Sequence, residues 1–403
     1  LRGYQKDAVN QWLQAGCRGV FAMATGTGKT ITALAAAVAL WRAVEKSKQP
    51  LLVLVTVPSK DLVGQWTSNA TEFGFAPVGC HSDTGSRWPA QLDATIQRLR
   101  YAGSVVEMVI STADTLISPR FSRVIERYEG PMLLAADEMH SLGTPRRLKS
   151  LPDAKFRLGL SATPRRHGDE EGTEALMAFF GKVVQRIDIK QAIELGALVP
   201  YDYHPILVPL SGTELARYKE LSAEIARKLA GAPDGQDGLD RASFLLIERA
   251  RLLGHASAKL AELHRLMKDR RHTTHNLIYV AEGKHPIEET AQLDLVTRLL
   301  GDKLGMRVNI YTGETPTEER ASRQSMLRSG ELQALIAMRC LDEGIDIPEA
   351  RCGVVLASTQ NPRQFVQRRG RILRRDDKGG KVFAELYDFI VVPDTPPPSG
   401  TPA

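Results

Sequence analysis

The chain has 403 residues, with 53 Lys and Arg against 47 Asp and Glu, a net charge of +6 and 43% hydrophobic residues. That length can bury the cores of two or three domains without staples, and four scattered cysteines (Cys17, Cys80, Cys340, Cys352) with no CxxC pair point to neither a disulfide frame nor a zinc or iron–sulfur site. No run reaches the ~20 apolar residues of a membrane helix, and residues 1–20 lack a signal-peptide layout, so a reducing, cytoplasmic setting without membrane attachment is expected.

Taken in chain order, Val20-Phe21-Ala22-Met23 is an apolar run that leads through Ala24-Thr25-Gly26-Thr27-Gly28-Lys29-Thr30 into a strongly helix-forming stretch. Short apolar strands follow at Leu51–Val57, Val105–Ile110, Met132–Ala136 and Arg157–Leu160, separated by helical patterns. A second series runs through Asn276–Val280, Arg307–Tyr311, Ala334–Ala337, Gly353–Ala357 and Val382–Tyr387. Strands alternating with helices predict α/β domains, each a parallel sheet with helices on both faces. The chain divides as residues 1–195, a linker and basic helical insert over 196–275, a second α/β domain over 276–392, and a Pro-rich tail over 393–403. Gly231–Gly238 reads as a flexible loop within the insert.

The strand–loop–helix at residues 20–34 has what nucleotide phosphates require. Gly26 and Gly28 let backbone N–H groups turn inward, Thr27 lies between them, and the helix N-terminus adds a positive dipole. Lys29 supplies a point charge for the β- and γ-phosphates, and the Thr30 hydroxyl can ligate Mg²⁺. The strict phosphate-loop pattern has Gly where this chain has Met23. Asp137 and Glu138 end an apolar strand run, which puts two carboxylates at the C-terminal edge of a parallel sheet, where ligands gather. One can hold Mg²⁺ while the other orients or deprotonates the attacking water.

These pieces carry a resemblance. Asp137-Glu138-Met139-His140 resembles the DEAD/DEAH box of superfamily 2 helicases, and Ser161-Ala162-Thr163-Pro164 resembles their SAT motif. Leu1-Arg2-Gly3-Tyr4-Gln5 is similar to the N-terminal glutamine motif, which implies that Gln5 reads the adenine edge. Val57-Pro58-Ser59, Gln65-Trp66 and Ser111-Thr112-Ala113 resemble the strand-contacting motifs of the first RecA-like domain. In the second half, Tyr311-Thr312-Gly313-Glu314, Gly344–Pro348 with Asp346, and Gln367–Arg374 resemble the later motifs, the family's second and third arginines falling on Arg371 and Arg374. The style of RLGLSATPRR and CLDEGIDIPEA is closest to XPB-type and type III restriction-type helicases, which favours DNA over RNA.

The resemblance implies two tandem RecA-like domains, ATP and Mg²⁺ as cofactors, and single-stranded, forked or duplex DNA as partner. It implies nucleotide contacts from Gln5, Gly26, Thr27, Gly28, Lys29, Thr30 and Asp346. Metal falls to Thr30 and Asp137, catalysis to Lys29, Asp137, Glu138, Arg371 and Arg374, and strand contacts to Pro58, Ser59, Thr112, Thr312 and Gly313. The expected activity is an ATP-dependent DNA helicase or translocase of repair, restriction or phage defence. A duplex translocase that separates no strands, an RNA helicase, and a binding module with a degenerate ATPase are the alternatives; Lys29, Glu138 and Arg371, whose loss would signal the last, are all present. The chain begins at Leu1, as expected of a piece of a longer protein with further domains or subunits. Arg265, Lys268, Arg270 and Arg271 form either a phosphate-tracking arm or, since the insert's acids (Glu214, Glu220, Glu224, Glu262 and others) nearly match its bases, a solvated helical face. Trp12, Trp41, Trp66 and Trp88 are for the most part core or domain-edge residues, and Trp66, beside the strand-contacting segment, is the one to test for base stacking.

Overall fold

Runs such as Leu51-Leu52-Val53-Leu54-Val55-Thr56-Val57 show no polar alternation, and all seven residues are buried. Strands of this kind belong inside a sheet covered on both faces. A computed structural model describes residues 1–84, 87–101, 103–230, 235–338, 347–357, 362–376 and 379–393. Internal contacts divide the chain into two units, Leu1–Leu198 with Asn361–Gly370, and Val199–Gln360 with Arg371–Ala403.

The first unit has seven parallel strands: β1 (Arg18–Met23), β2 (Leu51–Val57), β3 (Val78–Cys80), β4 (Val106–Thr112), β5 (Met132–Ala136), β6 (Phe156–Ser161) and β7 (Val183–Ile187). Their order is β3-β4-β2-β5-β6-β1-β7, with Leu51 beside Val106, Leu52 beside Met132 and Arg18 beside Arg157. The connecting helices are α1 (Gly3–Gln14), α2 (Lys29–Glu45), α3 (Lys60–Glu72), α4 (Arg87–Tyr101), α5 (Ala113–Leu116), α6 (Pro119–Ile125), α7 (Pro145–Lys149), α8 (Glu170–Phe180) and α9 (Ile189–Glu194). Because every pairing is parallel, the loops after β1, β2, β4, β5 and β6 all emerge along one edge. The core beneath that edge includes Val20, Leu54, Leu134, Met139 and Phe180.

The second unit opens with β8 (Tyr201–Val208), inside the stretch read from sequence as linker. Then come α10 (Gly212–Ala230), α11 (Gly235–His255), α12 (Ala258–Arg270), β9 (Asn276–Tyr279), α13 (Gln292–Arg298), β10 (Val308–Tyr311), α14 (Thr317–Arg328), β11 (Ala334–Ala337), β12 (Cys352–Val355) and β13 (Ala384–Val391), while α15 (Pro362–Ile372), between β12 and β13 in the chain, is counted with the first unit up to Gly370. The sheet order is β10-β11-β9-β12-β13-β8, again parallel throughout. Two parallel sheets with flanking helices form the doubly covered α/β architecture expected from the sequence.

The insert corrects two readings. The helix α11 starts at Gly235, so residues 235–238 are helical rather than part of a flexible loop. Glu214, counted from sequence among the insert's solvated acids, is 2% exposed. Its Oε2 accepts from the Ser211 backbone N–H at 2.8 Å, while Oε1 accepts from the Ser257 N–H at 2.8 Å and lies 3.2 Å from His285 Nε2. Of the four basic residues singled out, Arg265 is paired with Glu262 and Arg270 with Glu385. That pairing fits a charge-balanced face. The helices α10 and α11 hold a small core of Leu221, Ile225, Ala242, Leu245 and Leu252. Among the described residues, no helix is long and apolar enough to cross a membrane.

Candidate nucleotide-binding site

The loop between β1 and α2 is built to present backbone N–H groups. Gly26 has φ +90° and Gly28 φ +80°, the left-handed region that side chains other than glycine's rarely enter. The Thr27 hydroxyl donates to the Ala24 carbonyl at 2.7 Å and closes the turn. From outside, the Tyr4 hydroxyl donates to the Thr27 carbonyl at 2.8 Å, and Gln5 Nε2 donates to the same oxygen at 3.3 Å. So α1 buttresses the loop directly.

Met23 explains its own departure from the strict pattern. It is the fully buried last residue of β1, with its side chain in the core, and its carbonyl accepts from Lys29 Nζ at 3.2 Å. Lys29 and Thr30 are the first two residues of α2, behind Gly28 as N-cap. The buried Thr25 Oγ1 has no hydrogen-bond partner among the described residues. An unsatisfied hydroxyl, two left-handed glycines and a lysine at a helix N-terminus fit a bound phosphate chain.

Asp137 continues the β5 ladder, its N–H donating to the Thr56 carbonyl at 2.8 Å. Its Oδ2 accepts from Trp66 Nε1 at 2.8 Å and its Oδ1 from the Glu138 N–H at 3.0 Å. Glu138 has φ +46° and ψ +53°, a left-handed conformation costing about 1–2 kcal/mol for a side-chain-bearing residue and met mainly at functional sites. Its Oε2 lies 3.3 Å from both Ser161 Oγ and His140 Nδ1. Ser161 Oγ is also 3.3 Å from His140 Nδ1 and accepts from the Thr163 N–H at 3.1 Å. The DEMH turn and the SAT segment therefore share one buried cluster. Arg166 clamps it from outside, donating to the His140 carbonyl and pairing with Asp169 at 2.6 Å.

Electrostatics separates the two carboxylates. Burial, then the neighbouring Glu138 charge, pushes the Asp137 carboxyl up, against the pull of Lys29 and the Trp66 hydrogen bond. Burial acts upward on Glu138 too, but the His140 hydrogen bond, the charges of Lys29 and His140, and Ser161 outweigh it and bring the group to about 2. Glu138 is thus a fixed carboxylate, suited to accept a hydrogen bond from water. Thr30 and Asp137 are hard oxygen donors of the kind that could hold Mg²⁺, which takes few ligands from a protein when phosphates and waters complete its shell.

The remaining sequence-predicted residues fall in several places. Pro58 and Ser59 follow β2, Ser59 as N-cap of α3 with its buried Oγ unpartnered among the described residues. Thr112 caps α5 and binds Thr115 through its hydroxyl. Thr312 and Gly313 lie in the second unit after β10, where Arg320 donates to the Gly313 carbonyl at 2.5 Å. Arg371, 9% exposed, lies near the end of α15, and Arg374 follows it. Asp346 lies outside the described residues. The base-stacking reading of Trp66 is wrong: the side chain is 1% exposed and its indole N–H is held by Asp137. Tyr4 and Arg166 were given no role in the sequence, although each lies within a stretch quoted there as motif.

Residues 1–166 match the type III restriction enzyme res-subunit family, and residues 258–376 match the helicase conserved C-terminal domain. The chain belongs to superfamily 2 of the helicases. This superfamily 2 chain is 26% identical over 399 residues to the DNA 3'-5' translocase XPB2 of Sulfurisphaera tokodaii, covering 94% of the chain and 79% of that protein. It is 28% identical over 379 residues to the putative DNA 3'-5' helicase Rad25 of Halobacterium salinarum, covering 93% of the chain and 52% of that protein. Its fold also resembles the DNA-bound type ISP restriction-modification enzyme LlaBIII, with a TM-score of 0.65 at 18% identity over 99% of the chain and 28% of that enzyme. A fragment of a putative type I restriction HsdR subunit from Vibrio vulnificus gives a TM-score of 0.60 at 20% identity, covering 96% of the chain and 63% of that structure. The chain spans about half the length of the haloarchaeal relatives.

Proposed function

We propose that the chain is an ATP-driven DNA motor that moves in the 3'–5' sense, as the names of its XPB and Rad25 relatives suggest. The observation that carries the ATPase reading is the shared sheet edge in the first unit. There an open-handed glycine loop with Lys29 faces a carboxylate pair, one member of which is held ionised. In this reading Gln5 meets the adenine edge, and Gly26, Thr27 and Gly28 present N–H groups to the phosphates. Lys29 neutralises the β- and γ-phosphates. Thr30 and Asp137 hold Mg²⁺, which when bound screens the phosphate charge. Glu138 orients water by accepting its proton-side hydrogen bond, and its low pKa makes it a positioning group more than a proton store.

The family resemblance assigns Asp346 to the nucleotide, and Arg371 and Arg374 to the charge that develops during phosphoryl transfer. Arginine suits that role because its planar fork stays ionised and binds oxygen pairs. Pro58, Ser59 and Thr112 on one unit and Thr312 and Gly313 on the other take the DNA backbone.

The test is strand displacement with duplexes carrying a 3' or a 5' single-stranded tail, run beside displacement of a third strand from a triplex. Release of the 3'-tailed duplex supports a 3'–5' helicase. Triplex displacement without duplex separation identifies a duplex translocase, in keeping with the name of the XPB2 translocase relative. Release of only 5'-tailed substrates overturns the direction.

A further inference from the structure

The hydrogen bond between Trp66 and Asp137 has no part in the functional reading above, and its placement is specific. Trp66 is 1% exposed and Asp137 8%, so neither group has water to fall back on. The indole N–H is donor only, and its acceptor at 2.8 Å is Oδ2 of the carboxylate at the end of β5. The other oxygen, Oδ1, is turned onto the Glu138 N–H at 3.0 Å. Two donors on two different oxygens fix the carboxylate plane and leave one lone pair on each oxygen. The backbone of the same residue is pinned by the Thr56 carbonyl at 2.8 Å. Trp66 itself is anchored in α3, whose N-cap is Ser59.

We infer that Trp66 is a positioning residue for the metal site: its indole N–H sets the orientation of the Asp137 carboxylate that receives the divalent cation. This rests on the reading of Asp137 as metal-holding. A donor to a ligating carboxylate, once removed, typically costs about 10–100-fold in metal affinity. Packing alone predicts a different outcome, because Trp66→Phe keeps an aromatic ring in the same core position and loses only the N–H. Trp12 offers the matched control. It too is fully buried, and its Nε1 donates at 3.0 Å, but to the Arg157 carbonyl in a different part of the unit.

The experiment uses the full chain loaded with ADP and titrated with Mn²⁺, bound metal being read from the loss of the free-ion EPR signal. Fluorescent ADP without metal measures nucleotide affinity separately. Trp66→Phe is expected to weaken Mn²⁺ binding about tenfold or more while metal-free ADP affinity stays within twofold of wild type. Trp12→Phe should match wild type, and Asp137→Ala should abolish the metal-dependent signal. Wild-type Mn²⁺ affinity in Trp66→Phe, alongside loss in Asp137→Ala, overturns the inference and leaves the metal reading standing. Wild-type affinity in Asp137→Ala overturns the metal reading itself. If Trp66→Phe does not fold, the native chain labelled with 5-fluorotryptophan carries the test through its four indole resonances. One must shift when Mg²⁺ is added to the ADP-loaded protein, and no shift overturns the inference.

Discussion

Replacing Gly28 by Ala should damage the phosphate loop by an amount that can be worked from its geometry. At φ +80° a side-chain-bearing residue costs about 1–2 kcal/mol relative to its preferred conformations. The new Cβ would also stand 2.6 Å from Gln5 Nε2, which has to move and give up its bond to the Thr27 carbonyl. That bond contributes about 0.5–1.5 kcal/mol, so the sum is about 1.5–3.5 kcal/mol if the loop keeps its shape. For a unit of roughly 200 residues this lowers Tm by about 5–10 °C. A loop that instead relaxes to negative φ must recover the strain in order to bind, which lowers ATP affinity by about ten- to three-hundredfold. Thermal unfolding and fluorescent-nucleotide titration distinguish the two responses. In a Gln5→Ala background the contact is gone, so Gly28→Ala should cost about 1 kcal/mol less, the rest being backbone strain. Unchanged Tm together with unchanged affinity would refute the left-handed cradle.

Glu138→Gln should keep nucleotide affinity and lower kcat by about 10²–10⁴-fold, read by single-turnover hydrolysis beside equilibrium binding; equal losses in both would remove Glu138 from the chemical step. The second unit carries a pH signature. Lys259 is 1% exposed, and its ammonium is held by the carbonyls of Leu253, Gly254 and Leu356 at 2.7, 3.0 and 2.6 Å. Burial pushes its pKa down to about 7, against Asp388 and Glu214, and burial lowers Lys381 likewise to about 7. Between about pH 7 and 10.5 the unfolded chain therefore holds more protons than the folded one, so these lysines make stability rise with pH across that window and add no slope below it. Denaturant unfolding at pH 7 and pH 9 should show the rise, and Lys259→Met should remove about half of it; parallel profiles would contradict the assignment.

The sequence disclosed most where chemistry is local. The phosphate loop needs only a strand, two glycines and a helix start in one short stretch, and the paired carboxylates need only a strand end. Long, wholly buried strands such as β2 and β5 were legible for the same reason. By contrast, β7 is mostly half-exposed and β8 carries Pro205 on a sheet edge, so neither shows the continuous apolar run of a central strand. Trp66 was noticed but given the wrong neighbour, because nothing in the sequence says that α3 brings its indole against the end of β5. Glu214 looked like one more surface acid in a polar helix. Its burial depends on Ser257 and His285, which lie 43 and 71 residues further along.

The most direct test of the central claim is the steady-state ATPase rate with no nucleic acid, single-stranded DNA, duplex DNA and RNA, for wild type and Lys29→Ala. A rate raised by DNA more than by RNA and abolished in Lys29→Ala is the predicted result. A DNA-stimulated rate that survives in Lys29→Ala would contradict the assignment of the phosphate loop, and a rate indifferent to DNA would contradict the motor.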